Sequence, residues 1–542
     1  MRATASLLHA LAAEGVRHVF TVAGGPGETL PATVSDAVAV VPAAQAAGAA
    51  CMADGYARAS GRFGACLAGD GADAAAMAGA VATAMADGSP LLCVAAHGGG
   101  EGSGCGLSLL APAATASFAA ATPEAVPQQL RAGLARMLAA PRGPVLFGLP
   151  PEPGDGGEAG DVAAWQPLDA AAYRPRFVDA VAVERLWRIL VPDGGGSTPA
   201  HMAVLAGAGV EKAGAVRRLI AFAEQFELPV ATTARGKGAF PGDHRLCLGV
   251  CDGGRAAGAL LTQPLDVLIL LGCGLSGGDG LPGATFPAPG RTLVQVDADP
   301  AAIGRAFPVD VPVVGDCRAA LELMLEGGSA RINRLRAGNQ ARAAWARGLR
   351  EAALRDGAAP APETSDAPPD APPAPLAVAA TLRRALPRDG CLVVDAFAQR
   401  PCFTHGFTAV RPCAYFTPAP CAPAGWAVAA AVGVKAAVGQ RSVACVTDAS
   451  GLLALGTELA TAARCGLPVL VAVLVAGDAA VPDFAAFGRS LGARGLSVSR
   501  ADALEAALVE GLSGAGPCVA AVRCGPGALP GAAAVPVPDV LA

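Results

Sequence analysis

The stretch Ala82-Thr-Ala-Met-Ala-Asp-Gly-Ser-Pro-Leu-Leu-Cys-Val-Ala95 passes from Ala-rich sequence typical of a helix into an apolar run of strand length. Similar apolar runs alternate with Ala-rich stretches along the chain, at residues 145–148, 203–206, 267–271 and 292–296. Strands that are apolar on both faces and alternate with helices are typical of parallel sheets covered by helices on both sides. The sequence therefore predicts an α/β protein built from doubly wound parallel sheets.

The length and two composition breaks divide the chain into domains. A chain of 542 residues is too long for one hydrophobic core. Residues 150–160 are rich in Pro, Gly and acidic residues, and residues 358–375 are rich in Pro, Ala and Asp. We expect the seven arginines between residues 331 and 355 to lie on a solvated surface helix. The predicted organisation is a first domain at 1–165, a central domain at 178–330, a helix and Pro/Ala-rich linker at 331–372, and a third domain at 373–542.

The composition argues against several classes of partner. Forty Lys and Arg against 45 Asp and Glu leave a net charge of −5, which gives no positive field for nucleic acid or an anionic membrane. The most apolar run, at 468–477, is about half of the roughly 20 residues that span a bilayer. The 16 cysteines form no Cys-x-x-Cys pair and are predicted to be small buried residues in a reducing, cytoplasmic setting. Residues 1–20 are predicted to form an amphipathic helix with Leu7, Leu8, Leu11 and Val16 on one face.

Four motifs carry a resemblance to a known family. Residues 14–27 (Glu-Gly-Val-Arg-His-Val-Phe-Thr-Val-Ala-Gly-Gly-Pro-Gly), Met52-Ala-Asp-Gly-Tyr-Ala-Arg58, the central stretch 296–305 and the stretch 458–469 occur in that order. Together they resemble thiamine diphosphate (ThDP) enzymes of the acetolactate synthase group. The resemblance implies a pyrimidine-binding first domain, a central domain and a diphosphate-binding third domain. It also implies ThDP and Mg2+ as cofactors, a 2-oxo acid substrate, and active sites between the subunits of a homodimer or homotetramer.

The position that the family gives to its catalytic glutamate falls on an alanine here. In this family the glutamate protonates the aminopyrimidine ring of ThDP, whose own amino group then acts as the base. Counting back from Tyr56 places that residue at Ala46. The neighbouring Gln45 is a candidate, but adjacent strand residues would face opposite sides and an amide cannot cycle a proton. Some carboligases of the family work with an apolar residue at this position, so the substitution alone decides nothing.

The diphosphate and metal motifs are also altered. The resemblance places Mg2+ between an Asp and an Asn about thirty residues later, and here these positions are Asp448 and Ala476. Ala449 replaces the glycine after the Asp, and Ala424 replaces a bulky residue that supports the bent cofactor. Only five residues separate Ala476 from Pro482, where the family has a longer lid. Gly24, Gly25 and Ser450 complete the cofactor-binding positions that the resemblance implies.

The central domain offers two candidate nucleotide contacts. Gly207-Ala-Gly209 follows a predicted strand and resembles a turn that lets a phosphate approach a helix. Asp297 and Asp299 end another strand and resemble the family's adenine-ribose contacts. The stretch 271–275 lacks the arginine that acetolactate synthases have there. FAD is therefore one expectation for this domain, and a spacer without a ligand is the other.

Three functional hypotheses follow. The first is a ThDP-fold protein that has lost ordinary ThDP catalysis, and the alternative is a working ThDP- and Mg2+-dependent carboligase or 2-oxo acid decarboxylase with atypical ligands. The third is a repurposed enzyme whose nucleophile is Cys105, activated by His97, which follows a predicted strand. An almost uninterrupted apolar helix at 427–438, which one domain could not cover alone, favours an oligomer.

Overall fold

A computed structural model of the protein describes residues 3–23, 37–69, 71–96, 105–150, 165–168, 177–193, 198–251, 265–275, 290–326, 329–357, 369–476 and 481–525. The strands form three six-stranded sheets, and every strand pairing within these sheets is parallel. Helices flank each sheet, so the predicted fold class of three doubly wound parallel-sheet domains is confirmed. All five of the apolar runs that sequence analysis singled out are strands.

The first sheet has the strand order β2-β1-β3-β4-β6-β5. Its strands are β1 His18–Val22, β2 Ala39–Ala43, β3 Gly64–Ala68, β4 Leu91–Ala96, β5 Ala116–Ala119 and β6 Val145–Leu149. The helices around it are α1 Ala3–Ala13, α2 Ala46–Ser60, α3 Gly71–Ala76, α4 Ala78–Asp87, α5 Cys105–Leu110 and α6 Val126–Leu138. The predicted helix at 1–20 is shorter than expected, because Gly15 takes a left-handed φ of 76° and the chain turns into β1.

The second sheet has the order β12-β11-β10-β7-β8-β9. Its strands are β7 Met202–Ala206, β8 Val230–Thr232, β9 Cys247–Val250, β10 Val267–Leu271, β11 Thr292–Asp297 and β12 Val311–Val314. The helices are α7 Ala180–Leu190, α8 Ala208–Lys212, α9 Val216–Phe226, α10 Cys317–Glu326, α11 Ser329–Arg336 and α12 Asn339–Gly357.

The Arg-rich segment differs from its prediction in two ways. It forms two helices, α11 and α12, and Arg342 is fully buried although the segment was expected to be solvated. The Arg342 guanidinium donates a 2.9 Å hydrogen bond to the carbonyl of Phe226, where α9 ends, and also bonds to Leu335 and Asn339. Arg342 therefore ties this segment to the central domain by capping a helix end.

The third sheet has the order β14-β13-β15-β16-β18-β17. Its strands are β13 Cys391–Val394, β14 Tyr415–Phe416, β15 Val443–Asp448, β16 Leu470–Ala476, β17 Arg494–Val498 and β18 Cys518–Cys524. The helices are α13 Pro375–Ala385, α14 Arg400–Gly406, α15 Trp426–Val438, α16 Ala449–Leu455, α17 Glu458–Arg464, α18 Phe484–Ser490 and α19 Leu504–Ser513. When the strands of each sheet are numbered in chain order, the third sheet has the same strand order as the first sheet. The two outer domains therefore share one topology.

Helices α2 and α15 hold the two outer domains together. They occupy equivalent places, after the second strand of each sheet, and they pack backbone to backbone. A Cβ atom on Gly433 would lie 1.8 Å from the carbonyl oxygen of Met52, and one on Gly55 would lie 2.3 Å from that of Ala430. The apolar helix α15 is therefore covered by α2 of the same chain. A partner subunit is thus not needed to cover this helix, although the sequence had suggested one, and the oligomer remains a prediction.

The helices of the described segments are each too short or too polar to cross a bilayer.

Candidate functional site

The turn between β2 and α2 holds the position expected for the catalytic glutamate. Strand β2 ends at Ala43, Gln45 is the N-cap of α2 and Ala46 is its first helical residue. Gln45 and Ala46 are therefore not strand neighbours, as sequence analysis assumed. Ala46 is 4% exposed, and the Gln45 amide nitrogen Nε2 donates a 2.8 Å hydrogen bond to Thr457 Oγ1 of the third domain. Gln45 thus joins two domains of one chain.

A carboxylate that had no predicted role lies beside this turn. Glu458, the first residue of α17, is fully buried. Its Oε2 accepts 3.0 and 2.8 Å hydrogen bonds from the Ala44 backbone N–H and Thr461 Oγ1, and its Oε1 accepts a 3.0 Å bond from the Gln45 N–H. Burial raises the pKa of Glu458, although these hydrogen bonds oppose the change. Both carboxylate oxygens of Glu458 therefore accept hydrogen bonds from the backbone of this turn.

The second half of the expected site is a cavity of about 200 Å3 at the carboxyl ends of β13 and β15. Asp448, the last residue of β15, is the N-cap of α16, and Ala449 is the first residue of that helix. Asp448 Oδ1 accepts hydrogen bonds from the Gly451 N–H at 2.9 Å and from Ser450 Oγ at 2.6 Å. Asp448, Ser450 and Ala424 all line this cavity, so the structure brings three of the expected cofactor positions together.

A second carboxylate lines the same cavity and was missed in the sequence. Asp395 directly follows β13, as Asp448 ends the adjacent β15, and its Oδ2 accepts a 2.8 Å hydrogen bond from the Ala427 N–H. Burial, and then the charge of Asp448, raise the pKa of Asp395 to about 6. An Asp at the end of the apolar run 391–394 was the available signal. The two carboxylates meet only because their strands are neighbours in the sheet.

One oxygen of this carboxylate pair is buried without a hydrogen-bond partner. Asp395 Oδ1 is inaccessible to solvent and makes no geometrically acceptable hydrogen bond within the described residues, although the Thr447 side chain lies close enough to oppose the rise in the pKa of Asp395. Unpaired buried oxygens are costly unless a ligand or ion satisfies them. The carboxylate oxygens of Asp395 and Asp448 suit a hard cation such as Mg2+. The diphosphate end therefore fits the metal better than Asp448 alone would suggest.

The pyrimidine end does not fit the cofactor in the same way. Ala46 carries no proton-transferring group, and Glu458 is held away by three hydrogen bonds within the protein. Strand β16 ends at Ala476, which supplies no side-chain oxygen to the metal. Three predicted site residues lie outside the described residues: Gly24, Gly25 and His97. The short connection at 477–480 lies outside them as well. So does the side chain of Cys105, which leaves the proposed Cys/His pair untested.

In the central domain the glycine turn serves packing. A Cβ on Gly207 would lie 2.2 Å from the carbonyl oxygen of Gly272, and one on Gly209 would lie 2.6 Å from its Cα atom. The close approach that requires glycine in the described residues is therefore to the protein's own backbone, and α8 after it has only five residues. The phosphate contact that the sequence suggested stays a prediction. Asp297 and Asp299 line an adjacent cavity of about 450 Å3, where Asp297 Oδ1 accepts a 2.9 Å bond from the Asp299 N–H.

Comparison with known proteins identifies the three domains. Residues 1–106 match the family model of the thiamine pyrophosphate enzyme N-terminal TPP binding domain, residues 199–324 match the central domain, and residues 401–480 match the C-terminal TPP binding domain. Thiamine pyrophosphate (TPP) is another name for ThDP. Together these three matches cover more than half of the chain.

Individual relatives agree with the domain matches. The chain is 28% identical to a probable acetolactate synthase large subunit of Methanocaldococcus jannaschii, over 87% of this chain and 80% of the relative. It is 26% identical to a glyoxylate carboligase of Escherichia coli O157:H7, over 87% and 78%. The fold is similar to that of a protein from Mycobacterium smegmatis described as a "putative thiamin diphosphate-dependent enzyme", with a TM-score of 0.76, 23% identity, and coverage of 97% of this chain and 100% of the other.

Proposed function

Because this chain belongs to the thiamine pyrophosphate enzyme family and is acetolactate synthase-like, we propose that it is a member of that family that has lost ordinary ThDP catalysis. When ThDP is bound to an enzyme, it supplies a carbanion that decarboxylates or joins 2-oxo acids. The protein must contribute a group that gives and takes a proton at the pyrimidine ring. This chain has no such proton-transferring group at position 46, which is an alanine.

The proposal rests on two residues near the β2–α2 turn, Ala46, which has no carboxylate, and Glu458, whose carboxylate is already hydrogen-bonded. Ala46 begins α2, where the family has its glutamate, and has no proton to give. The carboxylate beside it, Glu458, is buried and accepts hydrogen bonds from two backbone N–H groups and a hydroxyl. Moving this carboxylate to a cofactor would leave the Ala44 and Gln45 N–H groups unpaired, at a cost of about 1–3 kcal/mol each. Glu458 is therefore a structural residue of this turn.

The diphosphate end supports the second candidate, a working carboligase or decarboxylase with atypical ligands. Asp395 and Asp448 line one cavity, Asp395 Oδ1 is buried without a hydrogen-bond partner in the described residues, and these carboxylates could hold Mg2+ without an oxygen from position 476. The similarity to a glyoxylate carboligase favours the same candidate. FAD against Asp297 and Asp299 would belong to this candidate as well, since the family's acetolactate synthases use it.

Binding and turnover measurements separate the candidates. We expect titration calorimetry with ThDP and millimolar Mg2+ to give no binding tighter than about 100 μM, because two or more charge-assisted contacts of about 1.5–3 kcal/mol each are absent. We also expect no ThDP-dependent loss of pyruvate or glyoxylate. Binding below that threshold with turnover, abolished in the Asp448→Asn variant, would establish the working enzyme. Flavin absorbance of the purified protein tests FAD.

A further inference from the structure

The cavity at Asp395 and Asp448 has a wall that comes largely from one loop of the third domain. We call this cavity the cofactor cavity, and we call residues 418–425, between β14 and α15, the wall loop. Every residue of the wall loop except Cys421 lines the cofactor cavity. The loop forms neither helix nor strand, and three of its eight residues are prolines, which lack a backbone N–H group. Its position therefore depends on individual contacts with its surroundings.

The third domain itself holds the wall loop mainly at its ends. Gly425 has a left-handed φ of 79° and packs against α16, where a Cβ atom on it would lie 2.3 Å from the carbonyl oxygen of Gly451. Arg400 Nη1 lies 3.4 Å from the Pro418 carbonyl oxygen, beyond the usual range of about 2.7–3.2 Å for such bonds. The backbone N–H of Ala419, in the loop between these ends, finds its described acceptor in a different domain.

That acceptor is Asp87, the last residue of α4 in the first domain. Asp87 Oδ2 accepts a 2.9 Å hydrogen bond from the Ala419 N–H and lies 2.7 Å from Arg58 Nη2. Its Oδ1 lies 3.0 Å from Nη1 of Arg235 in the central domain. Burial would raise the pKa of Asp87, but the charges of Arg58, Lys212 and Arg235 lower it below the usual value. The carboxylate is therefore ionised at neutral pH, and it contacts all three domains.

Arg58 holds the chain on both sides of the wall loop. Its Nη1 donates a 3.2 Å hydrogen bond to the Thr417 carbonyl oxygen, and its guanidinium carbon lies 4.8 Å from the centre of the Trp426 ring. Arg58 is held in turn by Asp54, to which its Nε and Nη2 donate bonds of 2.9 and 2.7 Å. Asp54 Oδ2 also accepts a 3.0 Å bond from Trp426 Nε1. Side chains of the first domain thus contact the residue before the loop, the residue after it, and Ala419 within it.

We propose that Asp87 is a positioning residue of the cofactor cavity, which together with Arg58 holds the wall loop in the place where the loop lines that cavity. A buried N–H group requires an acceptor, and hydrogen bonds to an ionised carboxylate are among the stronger ones. The cavity is built by the third domain, but its shape depends on the docked first domain. This role holds whether or not the cavity still takes ThDP, because it concerns the wall and not the ligand.

Hydrogen exchange of the full chain, followed by mass spectrometry, tests this role. Residues 418–423 give a simple readout, because Ala419, Cys421 and Ala422 carry amide hydrogens and the other three residues are prolines. In Asp87→Ala we expect a peptide that covers these residues to exchange at least tenfold faster than in the unmodified protein, a change that corresponds to about 1.4 kcal/mol. Peptides from β15 should keep their exchange rates, which separates local release of the loop from general unfolding.

Trp426→Phe is a milder variant that decides the question if Asp87→Ala does not fold. It removes the Nε1 donor to Asp54 and keeps an aromatic ring beside Arg58. We expect exchange at 418–423 to be at least threefold faster in this variant. Unchanged exchange in a folded Asp87→Ala protein would overturn the proposal, and so would unchanged exchange in Trp426→Phe.

Glu14→Ala is the matched control in the same domain. Glu14 Oε1 accepts 2.7 Å hydrogen bonds from Trp165 Nε1 and from the Leu168 N–H, so this carboxylate also holds a separate segment of chain on the first domain. Its removal should leave exchange at 418–423 unchanged. An acceleration there equal to that in Asp87→Ala would mean that any destabilisation of the first domain releases the loop, and would overturn the specific role of Asp87.

Discussion

Glu458 Oε1 accepts a 3.0 Å hydrogen bond from the backbone N–H of Gln45, so the only carboxylate found at the β2–α2 turn in the described residues belongs to another domain. The Glu458 side chain also packs tightly against the first turn of α2. A Cβ atom on Gly48 would lie 1.9 Å from Glu458 Oε1. The glutamate therefore fixes the start of α2 and joins the outer domains, and the turn depends on acceptors at both of its oxygens.

Replacing Glu458 tests this role. In Glu458→Gln the amide NH2 group would face a backbone N–H group instead of accepting from it. We expect the free energy of unfolding to fall by about 1–3 kcal/mol, the usual cost of an unpaired buried donor. Urea denaturation measures the change. Glu505→Gln, which removes one partner of the exposed Arg384–Glu505 pair, is the control and should change stability by less than about 0.5 kcal/mol. A similar small change in Glu458→Gln would contradict the structural role.

Restoring the family's glutamate tests the proposed loss of catalysis. A proton relay is worth about a hundredfold or more, but it acts only on a cofactor that is bound. We expect Ala46→Glu to form no acetolactate or acetaldehyde from pyruvate with ThDP and Mg2+, while its thermal melt stays cooperative. Turnover by this single variant would mean that Asp395 and Asp448 hold the Mg2+ that binds the diphosphate, and that position 46 alone separates this chain from a working enzyme.

The contact between α2 and α15 predicts opposite effects for two helix glycines. A methyl group on Gly433 would lie 1.8 Å from the Met52 carbonyl oxygen, whereas one on Gly348 in α12 meets nothing within 4 Å. Gly433→Ala should therefore lower the free energy of unfolding by about 2–4 kcal/mol through overpacking. Gly348→Ala should raise it by up to about 1 kcal/mol, since alanine favours helix. Equal effects of the two substitutions in urea titrations would show that the two outer domains do not pack in this way.

Lys237 predicts a pH dependence of stability. The side chain is 7% exposed, and its Nζ donates to the Thr404 carbonyl oxygen and lies 5.2 Å from the Tyr415 ring centre. Burial lowers the pKa of Lys237 to about 7, against about 10.4 in the unfolded chain. Between these values the unfolded state binds more protons, so this residue's contribution to stability rises with pH. Lys237→Met should thus be more stable than the unmodified protein below pH 7, by up to about 4 kcal/mol. This advantage should disappear near pH 10, and an advantage independent of pH would refute the buried-amine explanation.

Association between chains is expected at the cofactor cavity. Phe397, which lines that cavity, is 66% exposed, and Leu453 on α16 is 55% exposed. Large apolar side chains in this position favour an interface, and the family's active sites lie between subunits. We expect light scattering at micromolar concentration to give a dimer or tetramer, and Phe397→Ser to weaken it. Val181→Ser, at a residue 80% exposed on α7, is the control. A monomer at that concentration would contradict the prediction.

The sequence by itself determined the fold class and the family. Apolar runs such as Val267–Leu271 predict buried parallel strands because both of their faces must be covered, and motifs such as Met52–Arg58 depend on local spacing that survives in the linear chain. The substitutions at Ala46 and Ala449 could be recognised in the sequence for the same reason. Only the placement of Ala46 needed correction, since Ala46 begins a helix instead of lying in a strand.

Tertiary structure alone decided which distant groups meet. Glu458 lies more than 400 positions from Gln45, and Asp395 lies 53 positions from Asp448, so no local pattern could pair them. Sheet order brings the two aspartates together, because parallel strands that neighbour each other end at one edge. Packing of α15 on α2 covers the apolar helix that the sequence left without a partner. Arg58 of the first domain and Arg235 of the central domain meet at Asp87 only in the folded chain, and the strength of these ion pairs depends on distances that a sequence does not contain.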